Sequence, residues 1–448
     1  MTQTLDQLRA GELVGIQRLA LKCGLTEFPH EIYSLADTLE ILDLSGNQLS
    51  SLPDDLHRLH RLRVIFCSDN AFTELPTALG QCPALTMVGF KANRIHTVPA
   101  ASLPSGLQWL ILTNNCIAEL PESLGQCTQL QKLALAGNQL TTLPATLAQC
   151  KKLELLRISA NQLHELPDWL LTLPQLTWLA FAGNPFCQPF ESTDLHNAQA
   201  PTVDWQDLQI QHILGEGASG VIHQAILTRA DAEPHTVAVK VFKGEMTSDG
   251  LPSCEMAACL HAGAHAHLIT AQARVVNHPQ QLQALMMPCI DASFVTLAAP
   301  PSLETCTRDV YLPGAFLSSR AALRIAVGIT AAALHLHQLG LMHGDLYAHN
   351  ILYVPSGQAL LGDFGAASFY DPTNVHMADA LQGIEVRALG CLLEELMLHT
   401  RWGRGDDASR QLMQTLLDLC MRPQPTNRPK LIEVMQHLMH AQVKLQAN

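Results

Sequence analysis

Two short stretches bring together side chains that handle phosphate and protons. HGDLYAHNIL carries Asp345 and Asn350 five positions apart, and LLGDFG carries Asp363 thirteen positions further on. A carboxylate within reach of a hydroxyl can take its proton as the oxygen attacks. An amide oxygen and a second carboxylate are hard donors that suit Mg²⁺, an ion usually shared with nucleotide phosphates. Upstream, ILGEGASGVI sets Gly215, Gly217 and Gly220 as GxGxxG, whose missing side chains let backbone amides close over phosphate. VAVK then alternates like a strand and ends in Lys240, a charge in an apolar context that needs a partner. CEMAACL offers Glu255, at the start of a predicted helix, as that partner. Each stretch alone is explained equally well by a hairpin, a turn or a solvated helix face; in this order they form a series.

The elements that must position these groups are also legible. AALRIAVGITAAALHLHQLG, just before the Asp345 loop, reads as a long helix, and IEVRALGCLLEELM has the apolar spacing of a buried one. From residue 16 the chain repeats with a period of 22 or 23, through LEILDLSGNQLSSLP at 39 and LRVIFCSDNAFTELP at 62 to LTWLAFAGNPF at 176. Each LxL predicts a short strand whose apolar residues are buried only when neighbouring units stack. Asn47, Asn70, Asn93, Asn115, Asn138, Asn161 and Asn184 share one phase, where a side-chain amide can satisfy turn backbone. One column of strand positions reads Ile41, Val64, Met87, Trp109, Lys132, Leu155 and Trp178, with Phe66 and Ile111 beside it. The column predicts an apolar concave groove for a protein partner, or for cover by the other half of the chain. Leu5, Leu8 and Leu13 predict a cap over residues 1–15, and the polar run 191–204 predicts a linker.

The 448 residues, 48% hydrophobic and 15% charged, supply more than one domain with a core. The net charge of −13 divides into −4 for residues 1–190 (12 basic against 16 acidic side chains) and −9 for the rest (15 against 24). Neither half is basic enough for nucleic acid or anionic lipid. The 13 cysteines include no CxxC pair and predict reduced thiols; Cys82, Cys127 and Cys150 recur at one repeat position as small buried hydrophobes. HAGAHAH, with His261, His265 and His267, lacks ligand spacing and reads as a loop. The start, MTQTLDQLRAGELVG, has no leader pattern, and no window approaches eighteen apolar residues, so a soluble cytoplasmic protein without membrane insertion is expected.

Residues 16–190 resemble the leucine-rich repeat family in its LxxLxLxxNxLxxLP form, and residues 205–448 resemble a protein kinase catalytic domain. The resemblance implies an α/β repeat solenoid followed by an α+β two-lobed kinase-like domain. It also implies roles: Gly215, Gly217 and Gly220 over the phosphates of ATP, Ile222 and Ala238 above the adenine and Leu352 below it. Lys240, held by Glu255, would meet the α and β phosphates; Asp345 would take the acceptor proton; Asn350 and Asp363 would hold Mg²⁺. The expected function is an ATP- and Mg-dependent protein kinase, acting on Ser/Thr rather than Tyr, with the repeats recruiting a protein partner. A nucleotide-binding pseudokinase scaffold is the alternative, and a small-molecule phosphotransferase the third reading, since HGDLxxxN also resembles aminoglycoside and choline kinase-type loops.

Several positions depart from the kinase pattern. Gly344 stands where many kinases carry the Arg that clamps a phosphorylated loop, which predicts activity independent of phosphate on Tyr370 or Thr373. Tyr347 and His349 occupy positions of a Lys or Arg near the transferred phosphate, leaving hydroxyl specificity open. Residues 366–384 lack APE and are short, so Arg428 is expected to find another carboxylate or remain wet. Glu385 replaces an Asp expected at the start of the following helix, and Pro288 removes a donor where backbone meets adenine.

Overall fold

The structure, a computed structural model, describes residues 3–195, 201–217, 219–229, 232–244 and 246–446. It divides into two compact units, Met1–Gln175 and Leu176–Asn448.

The first unit opens with α1 (Leu5–Arg9), whose first turn is closed by a capping box between Thr4 and Gln7. Leu8 and Leu13 are buried. Seven three-residue strands follow: β1 (Arg18–Ala20), β2 (Ile41–Asp43), β3 (Val64–Phe66), β4 (Met87–Gly89), β5 (Trp109–Ile111), β6 (Lys132–Ala134) and β7 (Leu155–Arg157). They pair in parallel and in chain order, with Ile41, Val64, Met87, Trp109, Lys132 and Leu155 in one register. Short 3₁₀ turns such as Thr77–Gln81 and Glu122–Gln126 return the chain, because a 22-residue unit leaves no room for a full helix. Central strand residues Leu42, Ile65, Val88, Leu110, Leu133 and Leu156 form the core, each worth about 1.5–3 kcal/mol of burial.

The asparagine column does what its phase predicts. Asn115 Oδ1 accepts from Ile95 N at 2.9 Å, while its Nδ2 donates to Phe90 O and Leu112 O, both at 2.9 Å. Cys82 and Cys150 are buried, and burial pushes both thiols up to about 11. The groove column is less open than expected. Val64, Met87, Trp109 and Leu155 are buried, and Ile41, Phe66, Ile111 and Lys132 are half-exposed. Strict parallel register lets each side chain cover part of the next, as Lys132 does with its ammonium 4.7 Å from the Trp109 ring centre.

The second unit begins with the last repeat strand, β8 (Trp178–Ala180), and α2 (Gln188–Leu195). Next come β9 (Thr202–Asp204), β10 (Leu208–Glu216), β11 (Gly220–Arg229), β12 (Ala232–Phe242), helix α3 (Pro252–His261), β13 (Ala273–Val276) and β14 (Ala284–Pro288). They form a sheet of order β10-β11-β12-β14-β13-β9, antiparallel except where β9 joins β13. Its buried face is built by Leu208, Ala225, Val237, Val239 and Met286. The run expected as a linker is thus helical to Leu195 and a sheet strand from Thr202; residues 196–200 lie outside the described residues. The expected domain boundary near 190–204 falls inside this unit.

The remainder is mainly helical: β15 (Val295–Thr296), β16 (Leu317–Ser318), α4 (Ser319–Gln338), β17 (Leu341–Met342), β18 (Ile351–Tyr353), β19 (Ala359–Leu361), β20 (Ser368–Phe369), α5 (Val375–Leu398), β21 (Thr400–Arg401), α6 (Asp407–Cys420) and α7 (Leu431–Gln446). Ser318 caps α4 by accepting from Ala321 N. Helix α5 begins ten residues before Glu385, so that residue sits in mid-helix rather than at a helix start. Among the described residues no helix is long and apolar enough to cross a membrane.

Candidate active site

The turn between β10 and β11 closes where Gly217 N donates to Gly220 O at 2.9 Å. Its glycines answer different needs. A methyl group on Gly220 would stand 2.6 Å from Val241 O, so the neighbouring strand fixes that position. On Gly215 or Gly217 it would meet no protein atom within 4 Å, which leaves the backbone there open to a ligand.

Lys240 lies on β12 between Ile222 and Leu285 in the sheet register. Its ammonium pairs with Glu255 of α3, a helix that starts at Pro252 as proline's fixed φ favours. The two side chains are only 13% and 6% exposed. Burial pulls Lys240 down, but the Glu255 and Asp363 carboxylates outweigh it and hold the ammonium above its ordinary value. A cleft of about 220 Å³ opens beside the pair, with Gly217, Gly220, Ile222, Lys240, Glu255 and Asp363 in its wall. Gly215, Ala238 and Leu352 are not part of that wall: Ala238 is buried on β12 opposite Met287, and Leu352 faces Leu360 across β18 and β19. Asp249 does line it, a residue no spacing in TSDG distinguished from an ordinary turn.

The loop from β17 to β18 carries the other chemical groups. Asn350 Nδ2 donates to Asp345 O at 2.9 Å and Asp345 Oδ2 at 2.8 Å, leaving Asn350 Oδ1 as the atom to meet a cation. His343 is fully buried; its Nδ1 accepts from Asp345 N at 3.3 Å, which places the ring proton on Nε2, 3.0 Å from Gly362 O. One imidazole therefore ties the Asp345 loop to the strand end before Asp363. Asp363 itself adopts φ +58°, a left-handed conformation that costs a non-glycine residue about 1 kcal/mol or more and is concentrated at functional sites. Its carboxylate is exposed and accepts from Gly365 N at 3.1 Å, while Phe364 is buried against His343.

Glu385 supports this loop from α5. Its Oε1 accepts from Gly344 N at 2.9 Å, and its Oε2 from His343 N at 3.1 Å and His337 Nε2 at 2.7 Å. Burial pushes the carboxyl up, but these donors outweigh it and hold Glu385 below the ordinary glutamate range. Asp309 holds His349 in the same way, accepting from its N at 2.9 Å and Nδ1 at 2.7 Å. Burial pulls His349 down; Asp309, then Asp345 and Asp363, raise it above its usual value and favour an imidazolium near Asp345.

Three departures gain physical reasons. Gly344 has φ +73°, and a methyl there would lie 2.4 Å from Leu179 O and 2.8 Å from Ala366 O, so no arginine fits. Tyr370 is buried, its hydroxyl 2.8 Å from His337 Nδ1. Arg428 is buried rather than wet: its guanidinium donates to the carbonyls of Arg422, Gly383 and Pro423, and burial, together with the nearby Arg387 charge, lowers it to about 9. The structure also places Trp178 away from any open groove. It is buried against Tyr347 in the second unit.

Residues 208–396 match the family model for protein tyrosine and serine/threonine kinases, and residues 38–59 and 128–186 match leucine-rich repeat models. The chain is 24% identical over 220 residues to a glycogen synthase kinase-3 homologue of Saccharomyces cerevisiae, covering 44% of this chain and 56% of that protein. It is 25% identical over 178 residues to a probable serine/threonine-protein kinase of Bifidobacterium longum, covering 39% and 25%. A proline-rich receptor-like protein kinase of Arabidopsis thaliana is 25% identical over 242 residues, covering 48% and 32%. The match thus spans at most about half the length of these relatives. Among solved structures, a leucine-rich repeat protein of Leptospira interrogans aligns at 24% identity over 41% of this chain and 54% of that one, with a TM-score of 0.35. Two kinds of sequence are therefore joined here, leucine-rich repeats on the N-terminal side and a protein kinase domain after them.

Proposed function

We propose that the protein is an ATP-dependent protein kinase that transfers the γ-phosphoryl group to a serine or threonine hydroxyl of a protein. The observation that carries this reading is the gathering of the Lys240–Glu255 pair and Asp363 around one cleft, with Asp345 and Asn350 joined by two hydrogen bonds on the adjoining loop. Lys240 would neutralise the α and β phosphates, and the side-chain-free backbone at Gly215 and Gly217 would cover them. Asp345 would orient the acceptor hydroxyl and receive its proton as the new P–O bond forms and ADP leaves. Ile222, in the cleft wall, would meet the adenine.

The donor set fits Mg²⁺. Asn350 Oδ1 and the Asp363 carboxylate are hard oxygens, and among the described residues no group of three or more His, Cys, Asp or Glu side chains could hold an ion alone. Phosphate oxygens and water would complete the coordination. The bound ion would supply charge stabilisation for the phosphates. Serine or threonine is favoured over tyrosine by the name of the Bifidobacterium relative. The repeats are proposed to recruit the acceptor protein in the cytoplasm, through the half-exposed Ile41, Phe66 and Ile111.

The test is transfer of label from γ-labelled ATP with Mg²⁺, comparing wild type with Asp345→Asn and Asp363→Ala and locating the labelled residue by mass spectrometry. Label in wild type alone supports the enzyme. Equal label in all three chains, or none in wild type despite tight nucleotide binding, favours a nucleotide-dependent scaffold.

A further inference from the structure

We infer that the segment Thr177–Glu191 is a brace holding the catalytic loop and helix α3 in working register, with Trp178 as a positioning residue for Asp345; this rests on the phosphotransfer reading above. The indole N–H of Trp178 donates to Leu346 O at 3.1 Å, and its ring stacks on Tyr347 with centroids 4.1 Å apart and planes 9° from parallel. Leu179 O lies against Gly344, closely enough to exclude a side chain there. The residue before Asp345 and the two after it are thus held by one strand, β8. Peptide planes fixed on both sides of a residue fix the origin of its side chain, and loss of that geometry is expensive in rate.

The same segment reaches two further parts of the site. Phe181 N and Ala182 N both donate to Ser368 Oγ, at 3.0 and 3.1 Å, and that hydroxyl donates to Ala366 O at 3.1 Å. This fixes the backbone just after Asp363. Further on, Glu191 accepts from Gly183 N at 2.8 Å through Oε1 and from the Cys254 thiol at 3.7 Å through Oε2. Cys254 immediately precedes Glu255 on α3. Arg387 anchors the start of the brace by donating to Thr177 Oγ1 at 3.1 Å. Fifteen consecutive residues therefore contact the loops of Asp345 and Asp363 and the helix of Glu255. Gly344 offers the loop no side chain of its own as a clamp, and a covalently attached strand orders it.

Full-length Trp178→Phe, Trp178→Leu and Ser368→Ala, with Leu438→Ala in α7 as a control for simple loss of stability, separate positioning from folding. Initial transfer rates and hydrogen exchange of residues 343–350 are measured well below each melting temperature. Trp178→Leu should lower kcat about thirtyfold with KM for ATP within about twofold, and speed exchange across 343–350. Trp178→Phe, which keeps the stack, should recover most of kcat; Leu438→Ala should melt earlier with kcat unchanged. Should Trp178→Leu not fold, Ser368→Ala carries the test by the same two readouts, with kcat lowered several-fold and faster exchange across 343–350. Unchanged kcat and unchanged exchange in Trp178→Leu, or in Ser368→Ala where Trp178→Leu does not fold, or a kcat loss matched by Leu438→Ala, would overturn the brace. If wild type transfers no phosphate, the kinase reading fails separately, and the exchange of 343–350 still decides whether the strand orders the loop.

Discussion

At the residue scale, the left-handed positions state what the site will tolerate. Restoring the arginine of the resemblance as Gly344→Arg forces a side chain into φ +73° and against Leu179 O, and should cost about 2–4 kcal/mol in a denaturant titration rather than install control by phosphorylation. Tyr370 is buried beside His337, so Tyr370→Phe should leave transfer within about threefold of wild type, since removing one hydroxyl takes away a hydrogen bond worth about 1 kcal/mol of stability. A strict need for a phosphate at residue 370 would contradict that. Lys240, Glu255, Asp345, Asn350 and Asp363 stand out in the sequence because phosphate chemistry demands those side chains at those spacings, and the structure gathers the first two and Asp363 around one cleft. Trp178 does not stand out. It shares the repeat phase of Trp109, yet Trp109 lies beside Lys132 and Trp178 on Tyr347. Periodicity assigns a side chain its face and leaves its neighbour unnamed.

At the element scale, α5 carries the buried carboxylate that organises the loop. Glu385 is held below its ordinary value of 4.5, so it releases its proton more readily folded than unfolded and its stabilisation is complete above that pH. As pH falls through 4.5 and below, the unfolded chain takes up the proton first and the stabilisation drains away. Glu385→Gln should therefore lose about 3 kcal/mol at neutral pH and flatten the acid limb of a melting-temperature profile; an unchanged limb would assign it elsewhere. In the repeats, Asn115→Ala would strand Ile95 N, while Phe90 O and Leu112 O keep donors in Asn93 Nδ2 and Asn138 Nδ2, a loss of about 1–3 kcal/mol visible as earlier unfolding of the first unit by hydrogen exchange. The repeat strands, α4 and the strand ending in Lys240 are legible from apolar period alone. The start of α5 is not, because VHMADALQG carries no break that separates it from a loop; the helix begins ten residues before Glu385.

At the scale of the whole molecule, sequence similarity and compactness draw different lines. The leucine-rich pattern runs to residue 186, whereas the second compact unit starts at Leu176. A chain beginning at residue 176 is expected to melt in one cooperative transition, and one beginning at 205, which retains every kinase motif, to melt earlier and broadly. Equal melting of the two would show that residues 176–204 add nothing to the fold. Because β8 is spelled as a repeat and packs within the second unit, the chain does not divide at its visible seam. A recombination event that joined a foreign kinase domain within residues 191–204 would give it a strand fitted to another loop. The chain could shed or gain upstream repeats without altering β8, but its eighth strand must be inherited together with the 343–350 loop it contacts.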